Sequence, residues 1–408
     1  MSPKISQSEF VAMMAMMVAT VAFSIDSMLP AMPAIAADLT PDAPNRAQLI
    51  LSAFVIGMGV GTLFSGPLSD TFGRKTVINL GAALYILGAT LAWAAPTMEL
   101  MVAARIMQGV GAAGPRVVSL AIVRDLYSGR EMARLVSFIM VVFTVVPSLS
   151  PFLGMLVIDF GGWRSIFVSF LAFATVSTLW MNARLTEPLP VANRRPFRVA
   201  AIGRALKEMM ALPMVRGSIV VQTMIFSVMF TSISMIQPSF ERIFDRADQF
   251  PLFFFIIGVF CATSSMVNAR FVIRYGMRAI ITLAITCVAA GTVITLGLTL
   301  WGGLPDSVYF WVFLVWQTTL FYQMGLTIGN LNALAMEPLG HIAGLAASVM
   351  GAISTILGGI IATLIAQTFD GTTLPQLIGT FVLMVACLPV LIWMRRLDRP
   401  VARNAGAR

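Results

Sequence analysis

The sequence has few charged residues. Only 11% of its 408 residues are charged, and 58% are hydrophobic, whereas a soluble domain is about 25% charged. A chain with so few polar groups cannot cover the surface of a water-soluble protein with them. The composition therefore excludes an ordinary soluble protein and indicates that lipid is the solvent.

Cysteine and histidine are also scarce. The three cysteines, Cys261, Cys287 and Cys387, lie far apart in separate apolar runs, and His341 is the single histidine. This distribution gives no support to a disulfide framework or a metal site. No glycine-rich nucleotide-binding loop is present either, so the sequence predicts no metal, no cofactor and no transport driven by ATP hydrolysis.

Long apolar runs make up most of the sequence. A helix that spans a membrane needs about 20 mostly apolar residues, and twelve runs of this kind occur along the chain. They centre on 9–31, 47–68, 77–96, 98–124, 132–158, 163–184, 216–240, 249–271, 279–300, 308–335, 343–368 and 375–394. The first run exceeds a typical signal-peptide core of about 7–15 residues, and we expect it to be a retained helix. The sequence thus predicts an all-α integral membrane protein of about twelve transmembrane helices.

The positive charges predict the orientation. Of the 27 lysines and arginines, two fall within a span and four fall in gaps assigned to the outside, namely Arg46, Arg164, Arg242 and Arg246. All others lie on the opposite side, which the positive-inside rule identifies as cytoplasmic. We therefore expect a multi-pass protein of the cytoplasmic (inner) membrane with both termini inside. The concentration of basic residues on the cytoplasmic side explains the net charge of +9, and we expect no nucleic acid as a partner.

The chain divides into two halves. A polar stretch, Thr186–Pro213, separates six spans from six, and Gly73 and Gly276 stand in similar turns at matching places of the two halves. Duplicated halves are typical of transporters. We predict an N-terminal half over 1–185, a cytoplasmic linker over 186–215, a C-terminal half over 216–394 and a cytoplasmic tail over 395–408. Within the linker, Arg198–Met210 is either a short amphipathic surface helix or a solvated tether.

The turn after the second span, Gly66–Lys75, resembles the signature loop of the major facilitator superfamily. Its glycines permit a tight turn, and Asp70 near a helix end can accept hydrogen bonds from a neighbouring helix N-terminus. The resemblance implies the two-half major facilitator fold, with pseudo-symmetric six-helix halves, and a loop that holds them in the outward-facing state.

Three other segments agree with this resemblance. Arg105–Ala113 is similar to a fourth-span motif linked to proton coupling. Pro147–Gly154 partly resembles the antiporter motif, which prefers glycine where Ser150 and Met155 stand. The stretches Ile25–Ile35 and Ala121–Tyr127 resemble the branch of drug–proton antiporters that confers bicyclomycin and chloramphenicol resistance. The resemblance assigns conformational gating to Gly66, Asp70, Gly73, Arg74, Lys75, Pro147, Pro151 and Gly154.

Ionisable residues inside spans are costly and are therefore functional candidates. Asp26 and Arg105 are predicted at similar depth, either as a proton-coupling pair or as a buried pair that only fixes packing. Arg116 follows Arg105 by about three helical turns on the same face, and either lines the cavity or snorkels toward the cytoplasm. Polar residues of the second half extend the predicted substrate cavity, which comprises Asp26, Arg105, Arg116, Gln222, Gln237, Gln323 and Asn330.

The sequence therefore predicts secondary active efflux of drugs or other small amphipathic compounds in exchange for protons, by alternating access. We expect a monomer in the lipid bilayer whose partners are the small-molecule substrate and protons. The alternative within the same fold is a metabolite exporter for sugars or amino-acid derivatives. A membrane-embedded enzyme would need paired acids or a Ser–His pair within spans, which are not found, and the two-half organisation argues against a channel.

Overall fold

The computed structural model describes residues 5–397, except for the side chains of Ala133, Phe143, Thr144 and Val199. In the described range every regular element is helical. In the first part of the chain the helices are α1 (Gln7–Asp26), α2 (Met32–Leu39), α3 (Leu49–Phe72), α4 (Arg74–Trp93), α5 (Met98–Leu126), α6 (Gly129–Gly161) and α7 (Ser165–Arg184). After α8 (Val199–Ala211) come α9 (Pro213–Arg242), α10 (Phe250–Tyr275), α11 (Met277–Trp301), α12 (Asp306–Met336), α13 (Ala343–Ala366) and α14 (Leu374–Arg396).

Within residues 5–397 the twelve predicted spans are confirmed as twelve long helices, which are all the α-helices given above except α2 and α8. Each has at least 20 residues, which corresponds to about 30 Å or more at 1.5 Å per residue and so to the thickness of a bilayer core. Their apolar windows are long enough to cross a membrane, with α12 and α13 lying in one continuous apolar stretch. The helix α8 decides the sequence alternative for Arg198–Met210 in favour of a helix.

The first span differs from its prediction, because α1 ends at Asp26 rather than near residue 31. A short 3-10 helix, Leu29–Ala31, follows, and then the extra helix α2. Pro30 and Pro33 stand at the first turns of these two elements. Proline has no N–H to continue a preceding helix but suits the start of a new one. Asp26 is consequently the last residue of α1.

Single glycines join two pairs of long helices. Gly73 separates α3 from α4 with φ +100°, and Gly276 separates α10 from α11 with φ +81°. Side-chain-bearing residues rarely adopt these angles, so a glycine at each position allows two helices to meet across one residue. The resemblance between the two turns that the sequence suggested is thus present in the backbone.

The helices form two compact units. One contains the described residues up to Arg198 together with Asp248–Gly258, and the other contains Val199–Ala247 and the described residues from Val259 onward. In the first unit α5 packs against both α3 and α4, and α1 packs against α6. In the second, α9 packs against α13 and α14, and α11 packs against α12.

Small residues allow a close contact between α3 and α5 in the first unit. A methyl group on Gly57 of α3 would collide with the main chain of Ile106, and one on Gly109 of α5 would collide with the main chain of Phe54. Only glycine permits two helices to approach so closely. This close approach places α5 where Arg105 reaches both α1 and α3.

Candidate functional site

Arg105 lies at the centre of the first unit and is fully buried. Its Nη2 donates to the main-chain oxygen of Ser24 at 3.0 Å, its Nη1 to Oε1 of Gln108 at 2.6 Å, and its Nε to the main-chain oxygen of Ile50 at 3.4 Å. The guanidinium carbon also lies 4.4 Å from the centre of the Phe54 ring, a favourable cation–π distance. Arg105 therefore connects α1, α3 and α5 through oxygen acceptors and one aromatic ring.

Asp26 is 5% exposed, yet its carboxyl group makes no hydrogen bond or ion pair with any residue that the structure describes. Asp26 and Arg105 therefore do not form a contact pair among the described residues, and their shared role in proton coupling stays a prediction. The reason is the turn of α1. Ser24 shares a hydrogen bond with Tyr85 of α4, and a residue two positions later points about 200° away around the helix. The side chain of Asp26 therefore points away from the side of α1 on which Ser24 bonds to Tyr85.

The antiporter-like segment of α6 meets the end of α1. Gly154 packs so closely on the main chain of Ser27 that a methyl group there would collide with its oxygen. Pro147 and Pro151 lie inside α6, which remains helical through both. Ser150 is buried and donates to the main-chain oxygen of Val146 at 2.7 Å. The structure thus places a predicted gating glycine against the residue that follows Asp26.

Arg116 is the second arginine inside α5, and it is only partly buried. Its Nη1 lies 3.6 Å from the sulfur of Met58, and no other hydrogen bond or ion pair joins its side chain to the described residues. A thioether is a weak acceptor. Unlike Arg105, this guanidinium has no oxygen partner in the described chain.

The polar residues predicted for the second half lie in two packed helices, α9 and α12. Gln323 is 1% exposed, and neither its amide oxygen nor its amide nitrogen has a hydrogen-bond partner among the described residues. The amide oxygens of Gln222 and Gln237 are also buried without a partner there. Asn330 differs, since its Nδ2 donates to Asn268 at 2.8 Å. Gln222 and Gln237 are about 22 Å apart along α9, so these residues do not form one cluster.

A buried chain of amides in the second unit was not predicted. Gln317 of α12 donates to Gln376 of α14 at 2.9 Å, and Gln376 donates to Ser232 of α9 at 3.2 Å. The sequence signal was available, because each residue interrupts an apolar run. All three side chains are buried, and their bonds connect three helices inside the second unit.

The signature turn, Gly66–Lys75, is mostly helical, since α3 continues to Phe72 through Pro67. Arg74 is nearly buried and lies between two carboxylates. It donates to Asp70 at 2.6 Å and to Asp125, in the last turn of α5, at 2.7 Å. Arg74 therefore fixes the turn to α5, and Asp70 contacts a side chain four residues away.

Glu187, a residue that the sequence reasoning missed, caps the helix that follows the turn. Its two carboxylate oxygens accept from the main-chain N–H groups of Arg74 and Lys75 at 2.8 and 3.0 Å. A carboxylate in this position satisfies free donors and interacts favourably with the helix dipole. The N–H of Arg195 donates to the main-chain oxygen of Asp70 at 3.0 Å. The first part of the predicted linker is thus bound to the signature turn.

Lys75 is held in the same region by main-chain oxygens. Its Nζ donates to Leu185 at 2.6 Å and to Asn182 at 3.3 Å, both at the end of α7. The predicted gating residues Asp70, Gly73, Arg74 and Lys75 therefore share one small network with α5, α7 and the linker.

Comparison with known proteins identifies the class. The fold is similar to that of a solved D-xylose–proton symporter, with a TM-score of 0.71 at 16% identity over 93% of this chain and 97% of the other. Twelve long apolar helices in the described residues define a multi-pass membrane protein. Residues 12–363 match the Major Facilitator Superfamily, and the chain belongs to that family. It is a transporter of small molecules and not an enzyme.

Two sequence relatives extend over nearly the full chain. An uncharacterised MFS-type transporter of Bacillus subtilis, YdgK, is 29% identical over 94% of this chain and 94% of its own length. The bicyclomycin resistance protein homolog of Haemophilus influenzae is 28% identical over 91% of each chain. The predicted resemblance to the bicyclomycin resistance branch is therefore confirmed by sequence comparison.

Proposed function

We propose that this transporter exports drugs or other small amphipathic compounds in exchange for protons, with its binding site open to one side of the membrane at a time. The observation that carries the proposal is the carboxyl group of Asp26, which is buried at the end of α1 without a partner in the described chain. Drugs are the proposed cargo because one relative is named for bicyclomycin resistance.

The isolation of Asp26 suits a proton carrier. A carboxyl group that gains or loses a proton changes the charge of its surroundings by one unit, and at Asp26 no ion pair has to be broken for this to happen. A substrate that binds nearby can therefore compete with the proton directly. The buried amides without partners, above all Gln323, supply uncharged hydrogen-bonding groups for the cargo in the second half.

The proposal includes a location and a division of the chain. We propose the cytoplasmic membrane with both termini inside, because the basic residues concentrate on one side. The halves 1–185 and 216–394 would work with the linker 186–215 between them and the tail 395–408 inside. One copy is sufficient, since every group that the proposal uses belongs to a single chain.

The test combines cells and vesicles. Bacteria that lack their own efflux pumps and produce this protein should tolerate several members of a panel that includes bicyclomycin, chloramphenicol and cationic dyes. In reconstituted vesicles an imposed pH gradient should drive uphill substrate accumulation, and a protonophore should abolish it. Unchanged susceptibility across the panel would contradict drug export, and accumulation of sugars or amino-acid derivatives instead would favour the metabolite exporter.

A further inference from the structure

The two arginines inside α5 differ in what surrounds their guanidinium groups. Arg105 directs its three nitrogens at oxygen acceptors and stacks on Phe54. Arg116, eleven residues later, has only the Met58 sulfur at 3.6 Å among the described residues. Arginine carries five N–H donors and stays charged. Arg116 therefore has donors available for an acceptor that the described chain does not supply.

The position of Arg116 along α5 argues against the explanation that its side chain reaches the membrane surface. The helix extends ten residues beyond it to Leu126, which is about 15 Å at 1.5 Å per residue. An arginine side chain is much shorter than that. Snorkelling works near the ends of a span, whereas Arg116 lies close to the middle of a 29-residue helix.

Ionisable residues within spans are costly and commonly mark the path of a substrate or ion. We propose that Arg116 binds the carboxylate of the transported compound, so that the cargo includes organic anions and zwitterions. The guanidinium suits this role because it can donate two parallel hydrogen bonds to one carboxylate. This inference rests on the proposed transport of small molecules, and it assigns to the first half a substrate contact of opposite charge to Asp26.

Matched ligand pairs test the proposal with purified protein in detergent, without any pH gradient. The probes are norfloxacin, benzylpenicillin and fusidic acid, each compared with its own methyl ester, and binding is followed by tryptophan fluorescence or calorimetry. Wild-type protein should bind at least one acid more tightly than its ester. Arg116→Gln should lower the binding affinity for that acid by roughly ten- to hundredfold, which is the contribution of charge-assisted hydrogen bonds. The affinity for the ester should not change.

Two further variants complete the design. Arg116→Lys keeps the positive charge but cannot form the bidentate hydrogen bonds. It should therefore retain part of the preference for the acid that Arg116→Gln loses. Arg124→Gln removes an exposed arginine from the same helix and should leave the preference intact. If no acid exceeds its ester in wild type, or if Arg116→Gln keeps the preference, the assignment is wrong. If Arg116→Gln lowers the affinities for acid and ester equally, and Arg116→Lys does not restore them, the role of Arg116 is purely structural.

These experiments distinguish failure of the anion-site proposal from failure of the proposed drug export. Loss of the drug-resistance phenotype with an intact, Arg116-dependent preference for carboxylates would overturn drug export and keep the anion site. Drug resistance in cells, together with no preference of the purified protein for carboxylates, would keep drug export and overturn the anion site. Repeating the titrations at raised chloride concentration identifies competition by an inorganic anion, and binding of chloride with no organic acid would overturn the substrate assignment.

Discussion

The main-chain oxygen of Ser24 accepts a hydrogen bond from Arg105 at 3.0 Å, and this contact holds the arginine against α1 without any ion pair to Asp26. The two ionisable residues that the sequence suggests as a pair therefore have separate surroundings. Each side-chain nitrogen of Arg105 donates to a neutral acceptor, and Asp26 is left without a partner among the described residues. Their substitutions should consequently have different effects.

Arg105→Lys should lower the stability of the protein although it keeps the positive charge. Lysine cannot direct three nitrogens at Ser24, Ile50 and Gln108, and each charge-assisted hydrogen bond lost contributes about 1.5–3 kcal/mol. We expect a clearly lower Tm in detergent. Arg46→Lys is the control, because the Arg46–Glu99 pair is largely exposed and such pairs contribute about 0–1 kcal/mol. A wild-type Tm for Arg105→Lys would show that these contacts do not stabilise the fold.

Asp70→Asn tests the signature turn. The change removes one carboxylate beside Arg74, while the Arg74–Asp125 pair remains. We expect a folded protein with a Tm close to wild type, because Asp70 is about half exposed, but with impaired transport in vesicles. Asp38→Asn, which opens an exposed pair with Arg164, should transport normally. Full transport activity of Asp70→Asn would show that the turn only connects two helices and does not contribute to transport.

Glu187→Gln tests whether the linker is held by the cap on α4. Glutamine has one acceptor oxygen in place of the two that bind the N–H groups of Arg74 and Lys75. The segment that follows should detach more often, so trypsin should cleave after Arg194 faster than in wild type. Glu208→Gln alters an exposed acid of α8 and should leave the cleavage rate unchanged. Equal rates in Glu187→Gln and wild type would contradict the cap.

The predicted topology can be tested by labelling single cysteines. Cys261, Cys287 and Cys387 are first replaced, and one cysteine is placed at Asp306 or at Asn193. A membrane-impermeant maleimide added to intact cells should modify position 306 and reach position 193 only after permeabilisation, because the distribution of basic residues predicts that the linker lies inside. The opposite pattern of labelling would reverse the orientation.

Much of the fold could be predicted from the sequence, because helix length and glycine turns are local properties. The long apolar runs predicted twelve helices, and Gly73 and Gly276 predicted two similar turns. The partners of Arg105 could not be predicted in this way. Two of its acceptors are main-chain oxygens, which every residue possesses and no motif marks. Glu187 was missed for a related reason, since it caps a helix start 113 residues earlier in the chain.

Asp26→Asn is the decisive test of proton coupling. The amide matches the shape of the carboxyl group, and the described chain holds no ion pair that the change would break. We therefore expect normal expression, a Tm close to wild type and retained substrate binding. An amide cannot bind and release a proton at this site, so uphill accumulation driven by a pH gradient should be abolished. Asp26→Glu keeps a carboxyl group and should keep part of the activity.

The pH dependence of substrate binding separates this role from a structural one. If proton and substrate compete at Asp26, wild-type affinity should fall as pH is lowered and the carboxyl group becomes protonated, whereas the affinity of Asp26→Asn should not change with pH. Binding is measured with purified protein and a substrate that does not itself titrate over the range used. A purely structural Asp26 would lose binding and stability together in Asp26→Asn. Wild-type rates of uphill transport in that variant would show that another group carries the proton.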